Sequence, residues 1–249
     1  MKPLVRKMMA LAVLTAGVFA AHAQASVVIA GTRVIFPAQE REVTVRLTND
    51  GKTPALVQTW VDNGEANETP EKISTPFLLS PPLFRLDPSK GQTLRLVYTK
   101  EPLAQDKESL FWLNVLEVPP KGAAEDDANK LQIAFRTRIK VIFRPQGLTG
   151  SADEAPEKVR WEIVRDGNEY VLKGTNSTPY IVNLGTLSLK SGGKTYDAGA
   201  GHIKPGETAS FAVKELHSAP ATGSEVEYHS INDWGGSVAG KQPVAAQDH

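Results

Sequence analysis

The chain has 249 residues, with 28 basic and 28 acidic side chains, 41% hydrophobic residues and 22% charged ones. That length fits two small domains better than one, and the composition describes a globular chain, neither disordered nor polytopic. Zero formal charge argues against nucleic-acid binding by bulk electrostatics, and the absence of cysteine excludes disulfide frameworks, cysteine–zinc sites, iron–sulfur clusters and cysteine nucleophiles.

Lys2, Arg6 and Lys7 form a basic start, followed by an apolar run over residues 8–21 that is short for a bilayer span. Ala23-Gln24-Ala25 is a small-x-small cleavage pattern. Residues 1–25 are therefore expected to be a signal peptide cut between Ala25 and Ser26, with Ala21-His22-Ala23 as an alternative cut. The mature balance would be 25 basic against 28 acidic residues, a net charge of −3. No later segment approaches ~18 uninterrupted apolar residues, so the exported chain is not expected to insert into a membrane.

Beyond the leader, period-2 alternation dominates. Val43, Val45 and Leu47 alternate with Thr44 and Arg46, and Leu94, Leu96 and Tyr98 flank Arg95. The strongest case covers residues 131–144, with Leu131, Ile133, Phe135, Thr137, Ile139, Val141 and Phe143 on one parity. At ~3.3 Å per residue this strand would span ~45 Å, against a usual ~17–20 Å. Turn chemistry separates the strands at Asn49-Asp50-Gly51, Asp87-Pro88-Ser89-Lys90-Gly91, Asp166-Gly167-Asn168 and Ser191-Gly192-Gly193. The small, polar stretch after Arg144-Pro145 predicts domains over 26–147 and 148–241, with a tail over 242–249. A faint repeat supports two similar domains. Thr48-Asn49 precedes Thr53-Pro54 and a later Leu86-x-Pro88, and Thr175-Asn176 precedes Thr178-Pro179 and a later Ile203-x-Pro205-Gly206. The pattern predicts an all-β protein of two antiparallel sandwiches.

Catalytic chemistry is not visible. His202, His217 and His229 are scattered, without metal-ligand spacing. Gly235-Gly236-Ser237-Val238-Ala239 lacks the second glycine of a nucleophile elbow, and there is no phosphate-binding glycine loop. Neither an enzyme nor a cofactor or metal is expected. Two features stand out instead. The long strand carries Arg136, Arg138, Lys140 and Arg144 among apolar neighbours, and Arg33 interrupts an otherwise apolar strand over 27–36. A strand that outruns its sheet offers backbone groups and apolar side chains to a partner; a solvated basic face or an aggregation-blunting edge charge are the plainer readings.

The segment Leu103-Ala104-Gln105-Asp106-Lys107-Glu108-Ser109-Leu110-Phe111-Trp112-Leu113-Asn114-Val115-Leu116-Glu117-Val118-Pro119 closely resembles the signature of the PapD-like periplasmic pilus chaperones. So do Thr32-Arg33-Val34-Ile35-Phe36, Leu131-Gln132-Ile133-Ala134, Ile139-Lys140-Val141-Ile142-Phe143-Arg144-Pro145 and Ile231-Asn232-Asp233-Trp234-Gly235-Gly236, in order along the whole mature chain.

The resemblance implies two immunoglobulin-like domains in an L-shaped arrangement. It implies a chaperone that binds pilus subunits, completes their sheet with its own long strand, and delivers them to an outer-membrane usher. The strand positions that match are Leu131, Ile133 and Phe135. Arg33 and Lys140, with Thr32 beside them, match the family's cleft anchor for the subunit's terminal carboxylate. Glu108, Arg144 and Asp233 match an interdomain ion network. The short cysteine-free loop over 121–130 resembles the short-loop class. A homodimer that caps its own strand is left open. Strict alternation places Lys140 on the face opposite Leu131, Ile133 and Phe135, so twist or a bulge would have to re-aim one group if all serve one ligand. Two other readings compete: a secreted fibre subunit, and a generic two-sandwich binding protein.

Overall fold

A computed structural model describes residues 26–120, 133–167 and 169–245. Among them there is no α-helix, only two short 3-10 turns at Pro70–Lys72 and Ala155–Lys158.

The first half is a sandwich of two sheets. One holds β1 (Val27–Ile29), β3 (Glu42–Asn49), β7 (Gly91–Tyr98) and β5 (Phe77–Ser80), in the order β1-β3-β7-β5. The other holds β2 (Arg33–Pro37), β9 (Phe135–Arg144), β8 (Ser109–Val118), β4 (Ala55–Asp62) and β6 (Leu83–Leu86), in the order β2-β9-β8-β4-β6. The strand expected over 27–36 is thus two strands in opposite sheets. The break falls at Gly31, whose φ of 110° is a conformation open to a residue without Cβ. Inward faces meet in a core where Phe36, Leu47, Val57, Leu94, Leu96, Leu113, Val141 and Phe143 lose all contact with water. Each such side chain is worth about 1.5–3 kcal/mol of burial.

The second half repeats the plan. A three-stranded sheet, β10 (Arg160–Asp166), β11 (Glu169–Thr175) and β14 (Thr208–Val213), faces a four-stranded one. The latter holds β13 (Lys194–Ile203), β12 (Val182–Ser191), β15 (Glu225–Ile231) and β16 (Ser237–Pro243). Trp161 sits at the centre of its core, tight enough that a Cβ on Gly174 would come within 2.7 Å of the indole. Gly192 and Gly193, both at positive φ, close the two-residue hairpin between β12 and β13.

The sequence repeat is one structural device used twice. Asn49 and Asn176 are both fully buried. Each carboxamide donates to the carbonyl four residues on, Thr53 O at 2.9 Å and Tyr180 O at 2.7 Å. Each also donates across the sandwich, to Leu86 O at 2.9 Å and to Ile203 O at 3.1 Å. Each amide oxygen caps the N–H two residues on, that of Gly51 or Thr178. The two turns that follow place Ser89 and Gly206 at positive φ and return an N–H to the asparagine carbonyl at 2.8 Å.

Two further expectations need correction. The strand predicted over 131–144 begins at Phe135; Ile133 and Ala134 lie outside any strand, and Leu131 falls outside the described residues. The cause is the partner. The last rung joins Glu117 of β8 to Phe135, and β8 ends before Pro119-Pro120. Alternation records a preference, but a ladder needs a second strand. The predicted tail also starts too early. β16 runs to Pro243, Val244 packs on the second core, and the Ala245 N–H bonds Trp161 O at 2.8 Å.

Candidate functional site

The site lies where the two sandwiches meet. β2 and β9 run parallel with Arg33 opposite Lys140, so both side chains leave the same face. Val141, Phe143 and Phe36, on the other parity, fill the core. The sheet thus buries its apolar positions and sends its cations toward the second domain.

Four residues apart on that face, Lys140 and Arg144 meet different partners. Arg144 donates to Glu108 Oε1 at 2.5 Å, and grips Asp233 at both oxygens, at 2.6 and 2.9 Å. Glu108 is buried, and its second oxygen accepts the Ile181 N–H at 2.6 Å. Its own N–H bonds Pro179 O at 2.9 Å. Burial pushes the Glu108 carboxyl up, against the pull of Arg144 and the Ile181 N–H. Burial weakens the Arg144 guanidinium's hold on its charge, but Asp233 and Glu108 more than offset it and leave Arg144 firmly protonated. Asp233 is presented by a tight turn, where Asn232 Oδ1 accepts the N–H groups of Trp234 at 3.1 Å and Gly236 at 2.7 Å.

Lys140 has no carboxylate within ion-pair distance among the described residues. Its ammonium donates to a neutral acceptor, Asn183 Oδ1 of the second domain, at 2.6 Å. Burial, with the adjacent Arg33 charge, lowers its pKa to about 8. Arg33 donates through Nη1 to Ile231 O at 2.9 Å, while its buried Nε has no hydrogen-bond partner. Burial lowers the Arg33 pKa, and the Asp233 charge partly offsets this. Thr32 touches the same turn, since a Cβ on Gly235 would lie 2.8 Å from Thr32 Oγ1. Two desolvated cations stand side by side, neither in an ion pair with an acid among the described residues, an arrangement electrostatically suited to an anion.

Farther along β9 the cations are again neutralised. Arg138 pairs with the buried Asp62 through both carboxylate oxygens, and Asn114 Nδ2 bonds Asp62 Oδ2 at 2.7 Å. Burial would raise the Asp62 pKa, but these bonds and the Gly64 N–H hold it below its ordinary value. Arg136 donates twice to Asn114 Oδ1, at 2.9 and 2.7 Å, and lies over the Trp60 ring.

Of the residues expected to serve a partner strand, Ile133 is 47% exposed and Phe135 is half-buried at the first rung of β9. Pairing with β8 is unbroken from Phe135 to Phe143, with no bulge, so Phe135 and Lys140 do point to opposite faces. β2 covers only Lys140 to Arg144, which leaves the other backbone edge of Phe135 to Ile139 without a strand among the described residues.

Sequence reasoning missed Asn183, His202 and Trp112 as parts of the site. Trp112 lies beneath Lys140, 5.6 Å from Nζ to the ring centre, and meets the His202 ring edge-on at 6.0 Å. Burial, then Lys140 and Lys204, lower the His202 pKa to about 4. A polar Asn183 inside Ile181-Val182-Asn183-Leu184 was a readable signal. Among the described residues no group of three or more histidines, cysteines or acids is arranged to hold a metal.

Residues 26–149 match the family described as "Pili and flagellar-assembly chaperone, PapD N-terminal domain", and residues 154–242 match "Pili assembly chaperone PapD, C-terminal domain". The probable fimbrial chaperone YadV of Escherichia coli (strain K12) is 42% identical over 234 residues, 93% of this chain and 95% of that protein. The crystal structure of the YadV chaperone superposes with a TM-score of 0.76 at 39% identity, covering 88% of this chain and all of that one. The SafB chaperone of Salmonella enterica, solved in complex with the SafA pilin, gives a TM-score of 0.70 at 30% identity, covering 89% of this chain and 95% of that one.

Proposed function

The chain belongs to the PapD family of pili-assembly chaperones, and on that footing we propose that it captures fimbrial subunits by adding its own strand edge to theirs. The observation that carries this reading is the free edge of β9 ending at the Arg33/Lys140 pair. A strand laid along Phe135 to Ile139 cannot continue past Lys140, because β2 begins there. Its end must therefore sit at the two cations, and a chain terminus with a carboxylate fits them. The guest strand then runs parallel to β9, collinear with β2, and its C-terminus meets the start of β2. Backbone pairing supplies affinity for any strand, and the side chains at the base of β9 supply selectivity.

In this reading Leu131, Ile133 and Phe135 fill the subunit's groove, and Thr32 helps to shape the anchor. Glu108, Arg144 and Asp233 fix how the domains face each other. Residues 1–25 export the chain to the periplasm, and the mature protein hands its cargo to an outer-membrane usher by binding alone, without catalysis. The two domains divide near residues 147–150.

The test is co-purification from periplasm with a co-expressed fimbrial subunit. Wild type should yield a stable one-to-one complex, and Lys140→Ala and Arg33→Ala should fold but lose it. Full retention of the subunit by both variants would sink the anchor.

A further inference from the structure

Glu117 is a buried acid outside the anchor described above. It is 7% exposed, stands at the end of β8, and among the described residues forms no salt bridge with a basic side chain. Its carboxylate instead gathers donors from the first two described residues of the chain. Ser26 N approaches Oε2 at 3.0 Å and Oε1 at 3.3 Å, Ser26 Oγ donates to Oε1, and Val27 N donates to Oε2 at 3.0 Å. Ser26 is held on its other sides too. Its carbonyl accepts the Asp50 N–H at 2.8 Å, and its Cβ lies where a Cβ on Gly51 would come, 2.4 Å away. A buried carboxylate answered only by neutral donors is costly, and a positive partner at one of those positions would offset most of the cost.

We infer that Glu117 is the receptor for the α-ammonium group that export processing creates at Ser26. The inference rests on the cut between Ala25 and Ser26. Hydrolysis breaks the Ala25–Ser26 peptide bond, and water leaves a carboxylate on Ala25 and an amine on Ser26. That amine takes up a proton and becomes an ammonium at the position where the amide nitrogen already lies 3.0 Å from Oε2. Maturation thus turns a neutral contact into an ion pair without moving an atom of Glu117. The pair links β1 to the partner-strand edge, because Glu117 is also the rung opposite Phe135, the first residue of β9. The alternative cut after Ala23 would carry the charge two residues away from the receptor.

The prediction has a definite sign. Pairing raises the α-amino pKa above its ordinary value of about 8, so the added stability is complete below that value and is lost as pH rises through the folded one. Mature protein from periplasm is compared with a form carrying two extra alanines before Ser26, and each is paired with Glu117→Gln. Intact mass should give a chain beginning at Ser26. At pH 7 the extension and Glu117→Gln should each lower Tm by about 5 °C, the double change should add little, and the differences should shrink by pH 10. Selective ¹³C-dimethylation of the terminus should report its raised pKa directly, even if Glu117→Gln folds poorly. A chain beginning at Gln24 would overturn the inference together with the expected cut. A chain beginning at Ser26, with an unshifted amine and an unchanged Tm on extension, would overturn the ion pair alone. Neither result touches the subunit anchor at Arg33 and Lys140.

Discussion

Lys140 and Arg144 stand on the same face of one strand, yet one is enclosed by acids and the other faces an amide. Arg144 makes three short bonds to two carboxylates, and both acids are themselves fixed by the second domain or its turn. Lys140 makes one bond to Asn183 and lies beside a second cation. The fold leaves its cation pair unmatched where β2 begins and satisfies every other basic residue on that face of β9. Matched charge sets geometry, because its removal leaves a buried opposite charge. Unmatched charge destabilises the empty protein and is available to a ligand. The same contrast appears between Lys140 and Arg138, whose guanidinium is held by Asp62.

The sharpest way to break that contrast is to delete one member of each kind. Arg144→Ala leaves Glu108 buried with only the Ile181 N–H, and should cost about 3–5 kcal/mol in chemical denaturation. Lys140→Met should do the reverse, leaving stability equal or raised, because it removes a desolvated charge next to Arg33. Its cost should appear in subunit binding, about 10–100-fold weaker, the usual worth of a hydrogen bond to a charged group. Calorimetry on the free variants and on their subunit complexes separates the two. Equal destabilisation by both would erase the distinction.

Much of this contrast is legible in the sequence. The basic residues of β9 were visible as one parity of the alternation and Arg33 as a charge in an apolar run, and the resemblance to the chaperone family singled out Arg33, Lys140 and Arg144 among them. The repeated Thr-Asn motif pointed to a device that proved to be one buried asparagine per sandwich. Three things could not be read. Alternation continued through residues 131–134, but where a strand ends depends on its neighbour, and the neighbour's end at Val118 is not encoded in those residues. The pairing of Lys140 with Asn183 joins positions 43 apart, so no local period reveals it even though the polar break at Asn183 was visible, and Asp233 was named as Arg144's partner by the family resemblance alone. His202 looked like a scattered histidine because its contact with Trp112 is made only when the domains meet.

The pH dependence sharpens the comparison at Lys140 itself. Its folded pKa, about 8, lies below the ordinary 10.5, so between those values the unfolded chain holds a proton that the folded one has lost. The free protein should therefore gain stability from pH 8 to 10.5, with the penalty fully present below 8. A bound carboxylate favours the ammonium, so complex formation above pH 8 must take up a proton. Affinity should fall there by up to about tenfold per pH unit. Lys140→Arg, which stays charged, should bind with a flat profile over the same range. A wild-type affinity that did not change between pH 7 and 10 would mean that Lys140 does not face the ligand's charge.

The smallest expected effect is at His202, which borders the same cation from the other domain. Burial and the Lys140 charge hold its pKa at about 4, below the ordinary 6.5. Here too the unfolded chain binds the extra proton first, so stability should decline as pH falls from 6.5 toward 4. The ring is only half-buried, and solvent screening should keep the loss to about 1 kcal/mol or less. His202→Gln should flatten that decline. Lys140→Met should flatten it in part, because one of the charges that keep the imidazole neutral is gone. Thermal melts of the three proteins from pH 7 to 4 make the comparison. If Lys140→Met left the His202 decline untouched, the two domains would not share the electrostatic environment that the Lys140–Asn183 bond implies.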